Sequence, residues 1–148
     1  MNTVETIVSF EAAHRLYDVD TYSTECRDNI HGHSYKVKVV VGSENLNSAG
    51  MVVDFKKLKV VVKERIEDVY DHSCILRSTD PLVPAIRKEC KKVIVVDESP
   101  TAEWMAKHYF ALLTEDSRLD GIDILSVSVQ ETENNIATYS IGGKCRCK

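Results

Sequence analysis

The stretch CRDNIHGHSYKV, residues 26–37, sets one thiol and two imidazoles close together. Zinc favours imidazole and thiolate donors, and a catalytic zinc keeps three protein ligands and one open position. On a strand, residues two apart face the same way. His31 and His33, at the mouth of a strand, are therefore expected to point together, with Gly32 between them giving room for a metal. A third ligand must come from elsewhere. His14 ends the strand-like run TVETIVSFEAAHRL, and a hairpin-like pairing of the two strands brings it close. The expected zinc ligands are thus His14, His31 and His33. Cys26 has two readings, and spacing alone does not choose between them. As a fourth ligand it closes a structural site; held outside the metal's reach it serves as base or nucleophile.

Further acid–base groups lie downstream. YDHSCIL carries Asp71 beside His72. A carboxylate can orient an imidazole and stabilise its charged form; the plainer reading is a charge pair at a helix end. Glu131, in SVQET, falls on the Leu125, Val127 and Val129 side of its strand. A carboxylate on an apolar face is costly unless partnered. It would suit a ligand offering amide-like donors, unless the strand has already reached solvent there. His108 sits mid-helix and is read as structural. Cys74 and Cys90 are read as small apolar residues. Cys145 and Cys147 form C-x-C in GGKCRCK, read as a frayed, reduced tail rather than a metal clip.

The elements that must position these groups follow from periodicity. TVETIVSFEAAHRL and SYKVKVVVGSE read as strands, with Tyr35, Val37, Val39 and Val41 on one face. Between them lies a polar loop, 15–30, long enough to be functional or disordered. DFKKLKVVVKERIEDVY reads as a helix with Asp54 as N-cap and Phe55, Leu58, Val62, Ile66 and Val69 as its apolar stripe. KKVIVV is a short strand candidate. SPTAEWMAKHYFALL is a second helix, with Ser99 able to cap and Pro100 in the first turn. DILSVSVQET alternates, with Ile124 set opposite Val127 and Val129, and IATYSI suits a last strand. Strands at both ends with helices between predict an α+β fold: an antiparallel sheet with helices on one face.

Bulk composition narrows the classes. A chain of 148 residues favours a single domain, 1–148, with the tail about 142–148 apart from it. Apolar content of 43% and charged content of 28% are ordinary for a globular protein. The net charge of -4 gives no overall basic field, so nucleic acid is not an expected partner. No apolar run approaches the roughly 20 residues that span a bilayer, and MNTVETIVSF lacks the regions of a signal peptide. The expectation is a cytoplasmic protein without a membrane partner, whose cysteines are free, catalytic or metal-binding.

SFEAAHRL, a cysteine then HGHSYKV, GMVVDFKKLK, YDH, SPTAEWMA and VQET occur in this order over residues 5–140. The series resembles the 6-pyruvoyltetrahydropterin synthase / 6-carboxytetrahydropterin synthase family. The resemblance implies the tunnelling fold: a four-stranded antiparallel sheet with two helices, whose trimers close a barrel and stack into a hexamer. It implies that His14, His31 and His33 hold Zn2+ and that Cys26 is the proton-abstracting base. Asp71 and His72 would form a second acid–base element, contributed by a neighbouring subunit. Glu131 would anchor the pterin ring, with Thr101 also in contact. The implied substrate is 7,8-dihydroneopterin triphosphate, and no redox cofactor is needed. Arg15, Arg27 and Lys36 lie near the site in sequence; their plainer reading is solvated surface charge. The segment ILRSTDPLVPAIRKECKKVIVVDESPTAE resembles the bacterial carboxy branch, which releases acetaldehyde on the way to queuosine and related deazapurines. The Cys26–His31 spacing falls between those of the two branches, and Arg77 stands where the family often has asparagine. The alternatives are the pyruvoyl branch and a non-catalytic zinc- or pterin-binding module.

Overall fold

The computed structural model describes residues 1–21 and 24–141; Cys145 and Cys147, and the tail as a whole, lie outside them. Two 13-residue strands, β1 (Asn2–His14) and β2 (His31–Ser43), form a long antiparallel hairpin. The loop between them carries a single helical turn, α1 (Glu25–Asp28). α2 (Phe55–Val62) begins at Asp54, whose carboxylate accepts from the backbone N–H groups of Lys56 and Lys57. It runs on through a π turn, Lys63–Glu67, into α3 (Asp68–Tyr70). Next come β3 (Ser73–Arg77), α4 (Val83–Glu89), β4 (Val93–Val96) and α5 (Ala102–Thr114). A 3-10 turn, Ser117–Leu119, leads to β5 (Asp123–Gln130) and β6 (Ile136–Ser140).

The sheet has six strands in the order β4-β3-β1-β2-β5-β6. It corrects the four-stranded antiparallel expectation. β1, β2, β5 and β6 are antiparallel as expected, but β3 pairs parallel with both β1 and β4. The segment between the two long helices, where the sequence offered only KKVIVV as a strand, is thus a strand–helix–strand crossover, β3-α4-β4, the connection that parallel neighbours require. β3 gave no alternation because Ser73, Ile75 and Leu76 are all buried. A strand covered on both faces reads as a plain apolar run.

Alternation along β1 and β2 divides the sheet into two faces. Val8, Phe10, Tyr35, Val37, Val39 and Val41 are buried on one. They meet Leu58, Val62 and Ile66 of the first long helix and Met105, Tyr109 and Leu113 of α5. Glu5, Glu11, Ser34, Lys36 and Lys38 line the other face, which is open. Two helical and strand phases differ from the periodicity. The π turn shifts the helix so that Tyr70 is buried while Val69 is 44% exposed, and Phe55, at the exposed start, is 62% exposed. In β5 a register shift between Val40 and Val41 leaves Leu125 unpaired. That bulge turns Ile124 to the buried side with Val127 and Val129.

Candidate metal centre

The hairpin register sets His14 opposite His31 and Ala12 opposite His33. Directly paired residues share a face, so all three imidazoles lie on the core side at the loop end of the hairpin. Each offers a ring nitrogen, and these atoms all lie within 4.8 Å of one another. Gly32 pairs with Ala13 and so belongs to the opposite face; it does not make room for a metal, as the sequence suggested. A Cβ there would meet only the Ala12 carbonyl oxygen, at an ordinary 3.4 Å.

Backbone carbonyls fix the tautomers. His14 Nδ1 lies 2.8 Å from the Pro100 carbonyl oxygen, and His31 Nδ1 lies 3.1 Å from that of Asn29. A carbonyl can only accept, so both Nδ1 atoms carry the proton and both Nε2 atoms present a bare lone pair. Yet these two Nε2 atoms are 3.0 Å apart. Two lone pairs at that distance call for a cation between or beside them. A proton is disfavoured: burial, above all, lowers the His14 pKa from 6.5 to about 4, with His31 and His33 adding to the effect. Burial also lowers that of His33, whose Nε2 is buried without a hydrogen-bond partner. Carbonyl-anchored imidazoles converging by Nε2 are the arrangement of metal ligands with a built outer shell. The three histidines can hold a metal ion.

Glu131 closes one side. It follows β5, and its Oε1 lies 3.4 Å from His14 Nε2 and 3.6 Å from His33 Nε2. Its carboxylate stands where these nitrogens converge, so a cation held by the imidazoles would supply the counter-charge that an acidic group on the buried face requires. Glu131 also lines a cavity of about 460 Å3, with Thr101, Glu103, Asn134 and Asn135 on the wall. That volume falls in the range of small-molecule sites. Thr101, not Ser99, is the N-cap of α5: its hydroxyl accepts from Trp104 N–H at 3.2 Å. Ser99 Oγ is buried and unpartnered. The α5 entry therefore does two jobs, since Pro100 anchors His14 while Thr101 faces the cavity.

Cys26 lies on α1, half-buried and free, with its carbonyl accepting from Leu16 N–H at 2.9 Å. Its sulfur is not part of the ligand cluster, so of its two readings the fourth-ligand one has no geometric support here. Asp71 and His72 do pair, Oδ2 to Nδ1 at 2.8 Å. Asp71 Oδ1 accepts from Glu11 N–H at 3.0 Å, which, ahead of the His72 contact, lowers its pKa. His72 adopts a left-handed φ of 58°, rare for a residue with a side chain. Its side chain is 80% exposed. It borders a second cavity, about 380 Å3, shared with Glu11, Ser34 and His33, but its ring touches none of the three clustered imidazoles. His108 stacks on Trp104 at 4.7 Å and takes no part in the site.

The three nearby cations differ. Lys36 is exposed, and partly exposed Arg27 pairs with Asp28 at 2.9 Å. Arg15 is not a solvated charge: its side chain is 13% exposed and lies 3.4 Å from fully buried Asp80. Sequence reading missed Pro100 and Asn29, whose carbonyls act regardless of side-chain type. It also missed Lys92, whose Nζ donates to the carbonyls of Asp68 and Asp71.

Comparison with known proteins adds an independent line. The family model described as 6-pyruvoyl tetrahydropterin synthase matches residues 3–141. A 6-carboxy-5,6,7,8-tetrahydropterin synthase of Aquifex aeolicus is 33% identical, covering 88% of this chain and 92% of its own. One of Haemophilus influenzae with the same name is also 33% identical, covering 88% and 93%. Among solved structures, an uncharacterized protein from Wolinella succinogenes superposes with a TM-score of 0.80 at 26% identity, covering 95% of this chain and 98% of its own. The 6-pyruvoyl tetrahydropterin synthase of Caenorhabditis elegans gives 0.66 at 28% identity, covering 96% of each.

Proposed function

The chain belongs to the 6-pyruvoyl tetrahydropterin synthase family and is a lyase of that family, and we propose that it is a zinc enzyme acting on 7,8-dihydroneopterin triphosphate. The products are 6-carboxy-5,6,7,8-tetrahydropterin, acetaldehyde and triphosphate, the carboxy branch that feeds queuosine and related deazapurines. The carboxy assignment is supported by relatives that bear that name at 33% identity over most of both chains. The observation that carries the chemistry is the convergence of two carbonyl-anchored Nε2 lone pairs with the unpartnered Nε2 of His33, beside a cavity that Glu131 and Thr101 line.

His14, His31 and His33 fit zinc: three imidazoles leave a fourth position open. Bound there, zinc would acidify a side-chain hydroxyl of the substrate and steady the oxyanion that develops. Glu131 accepts from the N–H edge of the pterin and fixes its plane. Cys26, outside the ligand cluster, takes a proton from the substrate side chain as thiolate. His72, oriented by Asp71, handles protons on the other face. Because His72 is turned to solvent, it serves a neighbouring subunit's site in an oligomer, a hexamer of two stacked trimers. The 148 residues act as one catalytic domain.

Product analysis by mass spectrometry tests this. Zinc-loaded protein incubated with 7,8-dihydroneopterin triphosphate is expected to give the 6-carboxy mass plus acetaldehyde. A 6-pyruvoyl product would keep the site and overturn the branch. Absence of turnover with tight pterin binding would make the protein a binding module.

A further inference from the structure

Tyr35 is fully buried, and its hydroxyl makes no well-formed hydrogen bond among the described residues, yet Glu131 lies close enough that, after burial itself, it raises the Tyr35 pKa. Such a group weakens a core, and phenylalanine would fill the same space without it. The ring is well held. It stacks on Phe10 at 5.2 Å and meets the rings of His33 and His14 edge-on at 5.5 and 6.0 Å. The orphan hydroxyl is therefore at the floor of the metal centre, not loose in the core.

The β2–β5 register shows what it faces. Val37 pairs with Val129 and Lys36 with Gln130. The next step of that antiparallel register sets Tyr35 opposite Glu131, on the same face, at the separation of a cross-strand pair. Glu131 directs Oε1 to His14 and His33. Its other oxygen remains to accept from a donor.

We propose that Tyr35 is a positioning residue for Glu131: its hydroxyl donates to the carboxylate when a pterin is bound and so fixes the angle at which Glu131 meets the ring. This rests on the reading of Glu131 as the pterin anchor. A carboxylate hung at a strand end, 24% exposed, can swing; a donor from the rigid core below it removes that freedom.

The test uses full-length, zinc-loaded protein and two variants that each remove one orphan buried hydroxyl. Tyr35→Phe removes the one at the site. Tyr109→Phe removes one deep in the core, on a ring packed against Tyr70 and Phe10. Both are expected to keep zinc content and to melt no lower than the parent. Tyr35→Phe is expected to raise KM for 7,8-dihydroneopterin triphosphate about ten-fold, with kcat changed less. Its Kd for 7,8-dihydroneopterin, read by fluorescence, should rise in step. Tyr109→Phe should change neither. In a Glu131→Gln background the Tyr35→Phe effect should shrink to near nothing, because the two act as one unit. Unchanged kinetics in Tyr35→Phe overturn the proposal, as does an equal effect in both variants or full additivity with Glu131→Gln. A parent protein that neither turns over nor binds the pterin overturns the functional reading itself, and this inference with it.

Discussion

The bare Nε2 atoms of His14 and His31, 3.0 Å apart, make the metal centre a matter of individual protons. Each tautomer is set by a carbonyl that accepts at Nδ1, so neither ring can turn its N–H inward without losing that bond. Removing one imidazole leaves two ligands and a poor chelate. His31→Ala is accordingly expected to lose zinc on purification, whereas Cys26→Ala keeps it and loses turnover; metal analysis beside an activity assay separates them. Zinc lost from Cys26→Ala would make that sulfur a ligand after all. Protons compete with the metal at the same atoms. In metal-stripped protein the unfolded chain takes up a proton on His14 near pH 6.5, while the folded chain refuses it until about pH 4. The unfolded state binds more protons across that window, so stability falls as pH falls through it, by at most about 3 kcal/mol. Urea midpoints of the stripped protein at pH 7.5 and 4.5 should differ in that direction, and equal midpoints would show that His14 is not held neutral by folding.

The clustering of the three histidines was legible at the level of elements because a hairpin is the simplest structure alternation can specify. Two strands, one histidine at the end of the first and an H-x-H at the start of the second, bring three side chains to one face with no further information. Glu131 was legible for the same reason. What alternation could not show is where backbone matters more than side chain. Lys92 is the clearest case. It lies just before β4, within the crossover whose strand β3 left no periodic trace, and its Nζ donates to the carbonyls of Asp68 and Asp71 at 2.9 and 2.5 Å. The last carbonyls of a helix lack intrahelical partners, and a lysine there both satisfies and charge-balances them. Asp71 then holds Glu11 N–H, and His72 N–H donates to the Glu11 carbonyl at 2.6 Å, which keeps His72 in its left-handed conformation. Lys92→Met should loosen this turn. The expected result is a several-fold lower kcat with zinc content unchanged and a stability loss of about 1 kcal/mol, partly restored by Lys92→Arg. Wild-type kcat in Lys92→Met would mean that the turn holds its shape without the lysine.

At the scale of the whole molecule, one fact about the faces governs the rest. The three imidazoles, Tyr35 and Glu131 share the core side of the sheet, while His72 is 80% exposed and makes no ring contact with the clustered histidines. A folded chain holds both halves of the proposed acid–base machinery, but not in one place. Periodicity could not show this, because Asp71 and His72 lie in the stretch where the parallel crossover begins, and their facing depends on β3 pairing with β1; only the family resemblance implied that a neighbouring subunit contributes them. If the halves meet between subunits, inactive variants must complement each other. His31→Ala damages the metal half and leaves His72 intact; His72→Ala does the reverse. Each alone should be inactive or nearly so. Mixed, dissociated and reassembled in equal amounts, the two should place an intact metal half beside an intact His72 in about a quarter of the sites. Activity near that fraction of wild type, appearing only after subunit exchange and running with a hexamer in sedimentation, is the expected outcome. Activity absent from well-mixed oligomers would mean that each chain completes its own site, and that His72 must then reach the histidines by a rearrangement of its turn.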